Sequence, residues 1–426
     1  MKIRFVTLGC KLNFAESSAL GKELLSRGHQ RASLNEVPDV CVVNTCSVTD
    51  AADHKDRQAI NQLHRKCPNA IIVVTGCYAQ LQPEQISQIE GVDYILGQNE
   101  KYSIPALVDT LEAQLLHNST QPLHNSTPPI RVCNIREVEE FHGVRSGDDR
   151  TRCFIKVQDG CNYFCTYCTI PYARGKSRNP KIEEVLSSAQ EAVDQGAKEL
   201  ILTGVNIGDF GRSTGESFVD LIKAIDELNG DFRVRISSCE PNLLTDEIID
   251  FVAQSKHFAP HFHIPLQSGS NEVLAIMKRR YTRELFAERV QHIKTVMPHA
   301  FIGVDCMVGV RGETQDCWED YLAFIKELDV SQLHVFTYSE RANTRMLEMD
   351  LYVVPKAERQ RRSKILHAVS EEKTRAFYAQ HAGRKAIVLW ESKREGDQMA
   401  GFTDNYIKVY APYQKDKVNT FEEIVL

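Results

Sequence analysis

Compact apolar runs alternate with amphipathic stretches along most of the chain. Residues 2–8 ("KIRFVTL"), 39–45 ("DVCVVNT"), 70–76 ("AIIVVTG") and 92–97 ("VDYILG") are short, rich in β-branched residues and bounded by polar or turn-forming positions, as buried strands are. Between them, apolar positions recur at helical spacing near 16–27, 50–66, 83–89 and 104–116. Strands alternating with helices predict an α/β architecture with an N-terminal doubly wound parallel-sheet domain over 1–116. The tract "LHNSTQPLHNSTPP" then writes one unit twice in Pro, Asn and Ser, and opens a linker over 117–150.

A second series begins near residue 152. Its strand candidates are "RCFIKVQ", "KELILTG", "FRVRISS", "HFHIPLQ", "AFIGVDCMVG" and "QLHVFTY", separated by helical stretches, the last and longest near 356–380. Six such units are too few for a complete eight-stranded barrel, so a central partial (βα)6 barrel is expected over 151–380. After 381 the helical period disappears. "KAIVLWES", "GFTDNYIKVYAP" and "NTFEEIVL" predict a small C-terminal all-β domain over 381–426.

Composition narrows the class more than the function. A chain of 426 residues, 42% hydrophobic and 25% charged, is ordinary globular material for two or three domains. No apolar run is long enough to span a bilayer and the opening residues lack a signal-peptide core, so no membrane and a cytoplasmic address are expected. In such a compartment the 13 cysteines are packing residues, catalytic thiols or metal ligands. A net charge of −6 speaks weakly against a nucleic-acid partner for the chain as a whole, and local patches decide that question.

Cys161, Cys165 and Cys168 form a C-x-x-x-C-x-x-C run after the first strand of the second series. A structural zinc site closes a tetrahedron with four ligands, and no fourth donor follows here. Thiolates also hold iron–sulfur clusters. Three cysteines on a four-iron cluster leave one iron open to bind and orient a small molecule, and this reading is preferred to zinc. Cys10, Cys46 and Cys77 each follow one of the first three strands, the edge where ligands bind in an open parallel sheet. They form a second triad without a fourth member. Cys41, Cys67 and Cys133 are expected to pack or to lie at the surface.

With their surroundings, these residues resemble the radical S-adenosylmethionine superfamily, whose signature is C-x-x-x-C-x-x-C after the first barrel strand, and within it the methylthiotransferases. "TLGCKLN", "NTCSVTDAAD", "TGCYAQ", "DGCNYFCTYCTIPYARG", "HIPLQSGSNEVLAIMKRRYT" and "GETQD" resemble motifs of that branch, over nearly the whole chain. "TLGCKLN" is most similar to the tRNA enzymes that act on threonylcarbamoyladenosine. The resemblance implies that the central barrel is a radical-SAM barrel and the last domain TRAM-like. It implies two [4Fe–4S] clusters. One, on Cys161, Cys165 and Cys168, would bind S-adenosylmethionine; the other, on Cys10, Cys46 and Cys77, would carry the sulfur to be transferred. S-adenosylmethionine would be both methyl donor and radical source for attack on carbon two of N6-threonylcarbamoyladenosine beside the anticodon. Tyr167 next to the last cysteine, and the strand-end residues Gly204, Asn206, Ser238, Glu240, Gln267 and Ser268, are expected to line the S-adenosylmethionine pocket. Val310–Arg311 stands where relatives usually show Phe-Pro, and Asn343 where Gly is usual.

The partners so implied are the anticodon loop of tRNA, an electron donor and a sulfur source. Three basic clusters are candidates for phosphate contact: Arg174, Lys176 and Arg178; Lys278, Arg279 and Arg280; and Arg359, Arg361, Arg362 and Lys364. The alternatives are an isopentenyladenosine or ribosomal-protein aspartate acceptor, or a non-catalytic zinc or iron–sulfur RNA-binding protein. The last would leave the polar strand ends without a task.

Overall fold

The computed structural model describes residues 1–33, 35–116, 124, 127–147 and 151–426; most of the repeated tract read as the start of the linker lies outside them. Two compact units are present. The first is Met1–Gly147 with Asp159–Asn162 and Cys168–Arg178; the second is Asp148–Gln158, Tyr163–Tyr167 and Asn179–Leu426.

The first unit is built on six parallel strands: β1 (Lys2–Thr7), β2 (Gln30–Arg31), β3 (Val40–Thr45), β4 (Ile71–Gly76), β5 (Tyr94–Leu96) and β6 (Ile130–Arg131), in the order β2-β1-β3-β4-β5-β6. β3 and β4 are buried at every position, because a central parallel strand is covered on both faces. Alternate residues divide between those faces. Val40, Val42, Ile71 and Val73 pack with Leu20 and Leu24 of the helix Lys11–Ser26. Cys41, Val43, Ile72 and Val74 pack with Ile60 and Leu63 of the helix Asp50–Lys66. The sheet is therefore doubly wound.

The first helix starts at Lys11 rather than near residue 16, where the apolar period begins. Asn13, Glu16, Ser17 and Ser18 are buried in its first turns, so a stretch that reads as polar loop is an internal face. Asn13 Nδ2 donates to the carbonyls of Leu8 and Thr45, each at 2.8 Å, which meets the desolvation cost of that amide.

In the second unit β7 (Arg152–Lys156), β8 (Glu199–Thr203) and β9 (Arg233–Ile236) form one parallel sheet, and β10 (His261–Gln267), β11 (Phe301–Val308) and β12 (Gln332–Thr337) another. Isolated parallel bridges, Val234–Phe258 and Ser238–His263, continue the wall from β9 to β10. Among the described residues β7 and β12 do not pair, so six strands make an open, partial barrel. Ser217, Thr245, Thr282 and Thr314 cap the intervening helices through side-chain oxygens.

The chain ends in β13 (Lys385–Glu395), β14 (Gln398–Thr403), β15 (Lys408–Pro412) and β16 (Phe421–Val425), an antiparallel sheet in the order β15-β14-β13-β16 that fits a TRAM-like domain. Its own core is small, centred on Val388, Trp390 and Met399. Barrel arginines complete it. Arg235 Nη2 donates to the Thr403 carbonyl at 2.6 Å and Arg233 Nη2 to the Phe402 carbonyl at 2.9 Å, while Glu199 holds both guanidinium groups.

Candidate functional site

Cys10, Cys46 and Cys77 stand at the carboxyl ends of the neighbouring strands β1, β3 and β4. Cys10 is the N-cap of the helix Lys11–Ser26, and Cys77 opens the helix Cys77–Leu81. Gly9 and Gly76 make the turns possible. Each has positive φ, and a Cβ on Gly9 would lie 2.8 Å from Cys46 Sγ, one on Gly76 2.4 Å from the Thr45 carbonyl. Cys10 is exposed, Cys46 and Cys77 are buried, and none is in a disulfide. Burial pushes the Cys46 thiol up to about 12 and raises Cys77 as well, although Arg174 opposes the rise there. Thiols in such surroundings become ligands when a cation takes the proton's place. The buried Asp56 accepts the Cys46 N–H at 3.1 Å, and burial pushes its carboxyl up to about 8.

The Cys161–Cys168 loop is pinned by main-chain bonds. Asp159 and Arg178 form an antiparallel bridge, and the Cys161 N–H donates to the Gly175 carbonyl at 3.0 Å. Gly160 has φ +72°, and a Cβ there would meet the Lys176 carbonyl at 2.0 Å. Phe164 takes φ 51°, a conformation that non-glycine residues adopt at a cost. In the second unit Arg279 Nη1 lies 3.2 Å from Cys165 Sγ while Arg279 Nη2 pairs with Glu240. Burial raises the Cys165 thiol and Arg279 opposes that rise.

The polar residues expected at the S-adenosylmethionine pocket divide into three kinds. Asn206 and Gln267 are buried, and Asn206 Nδ2 and Oδ1 and Gln267 Oε1 have no hydrogen-bond partner among the described residues. Unpaired buried amides await a partner. Gln267 also carries φ 63° beside a register shift in β10. Gly204 leaves no room for a side chain, since a Cβ would sit 2.8 Å from Ile207 Cγ2 and 3.0 Å from the Gln158 carbonyl. The third kind is engaged within the protein. Ser238 Oγ bonds His263 Nδ1 at 2.8 Å, and Ser268 Oγ accepts the Ser270 N–H at 3.2 Å as a turn residue. Glu240 is held by Arg279, and Tyr167 Oη lies 3.5 Å from the same guanidinium.

Sequence reasoning missed Gln158, whose Oε1 accepts the N–H groups of Val205 and Asn206, and the chain Ser238–His263–Asp305, with His263 Nε2 2.7 Å from Asp305 Oδ1. No spacing announces either; they meet only across strands.

The basic clusters need correction. The side chains of Arg174, Arg279 and Arg362 are buried and ion-paired, with Glu16 and Asp159, with Glu240, and with Glu313 and Glu358, respectively. Arg178 is likewise buried against Asp159. Lys176, Lys278, Arg280, Arg361 and Lys364 remain exposed. Val310 is packed in an apolar cluster, Arg311 forks onto Glu340, and Asn343 takes φ 63°, which explains why a glycine also suits that position.

Two family profiles match the chain: the Radical SAM superfamily over residues 155–325, and Uncharacterized protein family UPF0004 over residues 2–97. The radical S-adenosylmethionine methyltransferase TsrM of Kitasatospora setae, 15% identical, superposes with a TM-score of 0.57 over 79% of this chain and 74% of its own. Fold and profile together define the class, a radical S-adenosylmethionine enzyme. A Bacillus subtilis protein named threonylcarbamoyladenosine tRNA methylthiotransferase MtaB is 36% identical over 428 residues, 99% of this chain and 93% of its own. A Desulfitobacterium hafniense tRNA-2-methylthio-N(6)-dimethylallyladenosine synthase is 29% identical over 438 residues, 100% and 94%. The chain belongs to the radical S-adenosylmethionine methylthiotransferase family.

Membership implies S-adenosylmethionine and a [4Fe–4S] cluster, and the residues fit both. The loop offers three cysteines outside any disulfide, and the strand ends offer buried amide atoms with no hydrogen-bond partner among the described residues. Among the described residues no three His, Cys, Asp or Glu side chains converge tightly enough for a single metal ion; a cuboidal cluster needs wider spacing, because each cysteine binds a different iron. No described helix is long and apolar enough to cross a membrane.

Proposed function

We propose that the protein adds a methylthio group to carbon two of N6-threonylcarbamoyladenosine beside the anticodon of tRNA, in the cytoplasm. Two [4Fe–4S] clusters serve it, one on Cys161, Cys165 and Cys168 and one on Cys10, Cys46 and Cys77, with S-adenosylmethionine as methyl donor and radical source. The observation that carries the two-cluster reading is the second triad, three free thiols at adjacent strand ends beside buried basic side chains. Support for the substrate comes from the name of the 36% identical relative. An isopentenyl-type acceptor is the second reading, favoured by the name of the 29% identical one.

When bound, the open-iron cluster with S-adenosylmethionine supplies reductive one-electron chemistry that generates a carbon radical. The protein's own groups bind and orient. Asn206 and Gln267 present amides to the cosubstrate, Arg279 fixes the Cys165 side of the loop, and burial of Cys46, Cys77 and Cys165 keeps water from the ligands. The units of work are then residues 1–116 for the sulfur-carrying centre, 151–380 for radical generation and 381–426 for RNA contact. The exposed Lys278 and Lys364 face solvent where phosphates could reach them, and an external reductant and sulfur source complete the cycle.

Anaerobic reconstitution is expected to load about eight irons per chain. A Cys161→Ala/Cys165→Ala/Cys168→Ala variant keeps about half and makes no deoxyadenosine; full iron in that variant refutes the assignment. Nucleoside mass spectrometry of tRNA from cells lacking the gene decides the acceptor. Loss of a methylthio nucleoside other than the threonylcarbamoyl type refutes the proposed substrate.

A further inference from the structure

We propose that Arg174 is a positioning residue for both cysteine triads: one buried guanidinium fixes the segment bearing Cys161 and Cys168 against the helix that begins beside Cys10. The proposal rests on the two-cluster reading above. Arg174 ends the short helix Ile170–Arg174 that follows Cys168. Its Nη1 donates to Glu16 Oε1 and Asp159 Oδ1, each at 3.0 Å, and its Nη2 to Asn13 Oδ1 at 2.7 Å and Glu16 Oε2 at 3.2 Å. The Arg174, Glu16 and Asp159 side chains are 2%, 1% and 5% exposed. These four contacts exceed the three donors of a lysine ammonium and suit the planar fork of a guanidinium.

Each arm ends near a cysteine. Asp159 also accepts the Gly160 N–H at 2.9 Å, the residue before Cys161. Asn13 and Glu16 lie on the helix capped by Cys10. Asn13 passes the restraint on, because its Nδ2 holds the carbonyl of Thr45, the residue before Cys46. A continuous chain of bonds therefore runs from the Cys161 segment through Arg174 to Cys10 and Cys46.

The charge pattern points the same way. Arg174, Arg178 and Lys101 share the two carboxylates Glu16 and Asp159. A buried ion network adds little stability over apolar packing; what it adds here is fixed geometry. Cleavage of S-adenosylmethionine needs only the Cys161, Cys165 and Cys168 set. Methylthio transfer needs both sets in register, and misplacement by about 1 Å costs on the order of a hundredfold in rate.

The test uses the full reconstituted chain with Arg174→Lys, Arg174→Gln and, as a milder cut that leaves the charge in place, Asn13→Ala. Expected are wild-type iron content and methylthio product per deoxyadenosine lowered by about tenfold or more in both Arg174 variants. Lysine is expected to rescue no better than glutamine, because the fork and not the charge positions. Asn13→Ala falls between these and wild type, and carries the test if the Arg174 variants fail to fold. In metal-free protein, hydrogen exchange is expected to rise together in segments 11–26 and 159–162. A wild-type product ratio, or loss of both activities in proportion with exchange unchanged, overturns the proposal. If wild-type protein loads only one cluster, the two-cluster reading fails, and the exchange result alone decides whether Arg174 links these segments.

Discussion

Replacing Glu199 with glutamine removes the carboxylate that Arg152, Arg233 and Arg235 share at the start of β8. Burial alone raises this carboxyl; the fields of Arg235, Arg233 and Arg152 overcome it and hold it at about 2, against 4.5 for an ordinary glutamate. At about 1.4 kcal/mol per tenfold in proton affinity, that gap corresponds to about 3 kcal/mol of folding stability. Removing one partner of a buried ion pair costs about 3–5 kcal/mol, so the two routes agree. Because the folded value is depressed, the contribution is fully present above pH 4.5 and is lost as pH falls toward 2. Urea unfolding of the iron-free chain at pH 7 is expected to show Glu199→Gln less stable by ~3 kcal/mol, with the gap shrinking by more than half by about pH 3. The two tryptophans report on it, Trp318 in the barrel and Trp390 in the C-terminal sheet. Hydrogen exchange in β14 should accelerate first, because Arg233 and Arg235 hold its carbonyls. A loss below about 1 kcal/mol at pH 7, or a gap constant from pH 7 to about 3, refutes the reasoning.

Two further outcomes follow from the site. Gly160→Ala forces a side chain at φ +72° to within 2.0 Å of the Lys176 carbonyl; on the proposed two-cluster reading, an iron assay should find the Cys161 cluster lost while the Cys10, Cys46 and Cys77 centre loads, and full iron would show that the loop tolerates the shift. Asn206→Ala removes buried amide atoms with no hydrogen-bond partner among the described residues, so calorimetry should find S-adenosylmethionine bound about five- to thirtyfold more weakly, worth about 1–2 kcal/mol, with unchanged melting temperature. Unchanged affinity would free Asn206 of that role.

Much of the architecture was legible because its cause is local. The fully buried runs of β3 and β4 could belong only to covered strands, and the cysteine spacings stand out against composition. The first helix was read short because its polar residues are buried rather than exposed, which period alone does not reveal. The charged clusters misled for a related reason. "YARGKSR" and "MKRRYT" look like surface for phosphate, yet Arg174 finds its carboxylates at Glu16 and Asp159 and Arg279 its own at Glu240. Those partners lie far apart in the chain, and a list of charges does not name them.

The sequence by itself determined the alternation of strands and helices, the two incomplete cysteine triads and, through its motifs, the family. Those properties rest on side-chain type and spacing along a connected backbone. Tertiary structure alone decided which charges are buried, which amides at the strand ends are left unpaired, and that one guanidinium binds the segment before Cys161 to the helix after Cys10. Each of these depends on desolvation and on distances between residues that meet only after folding.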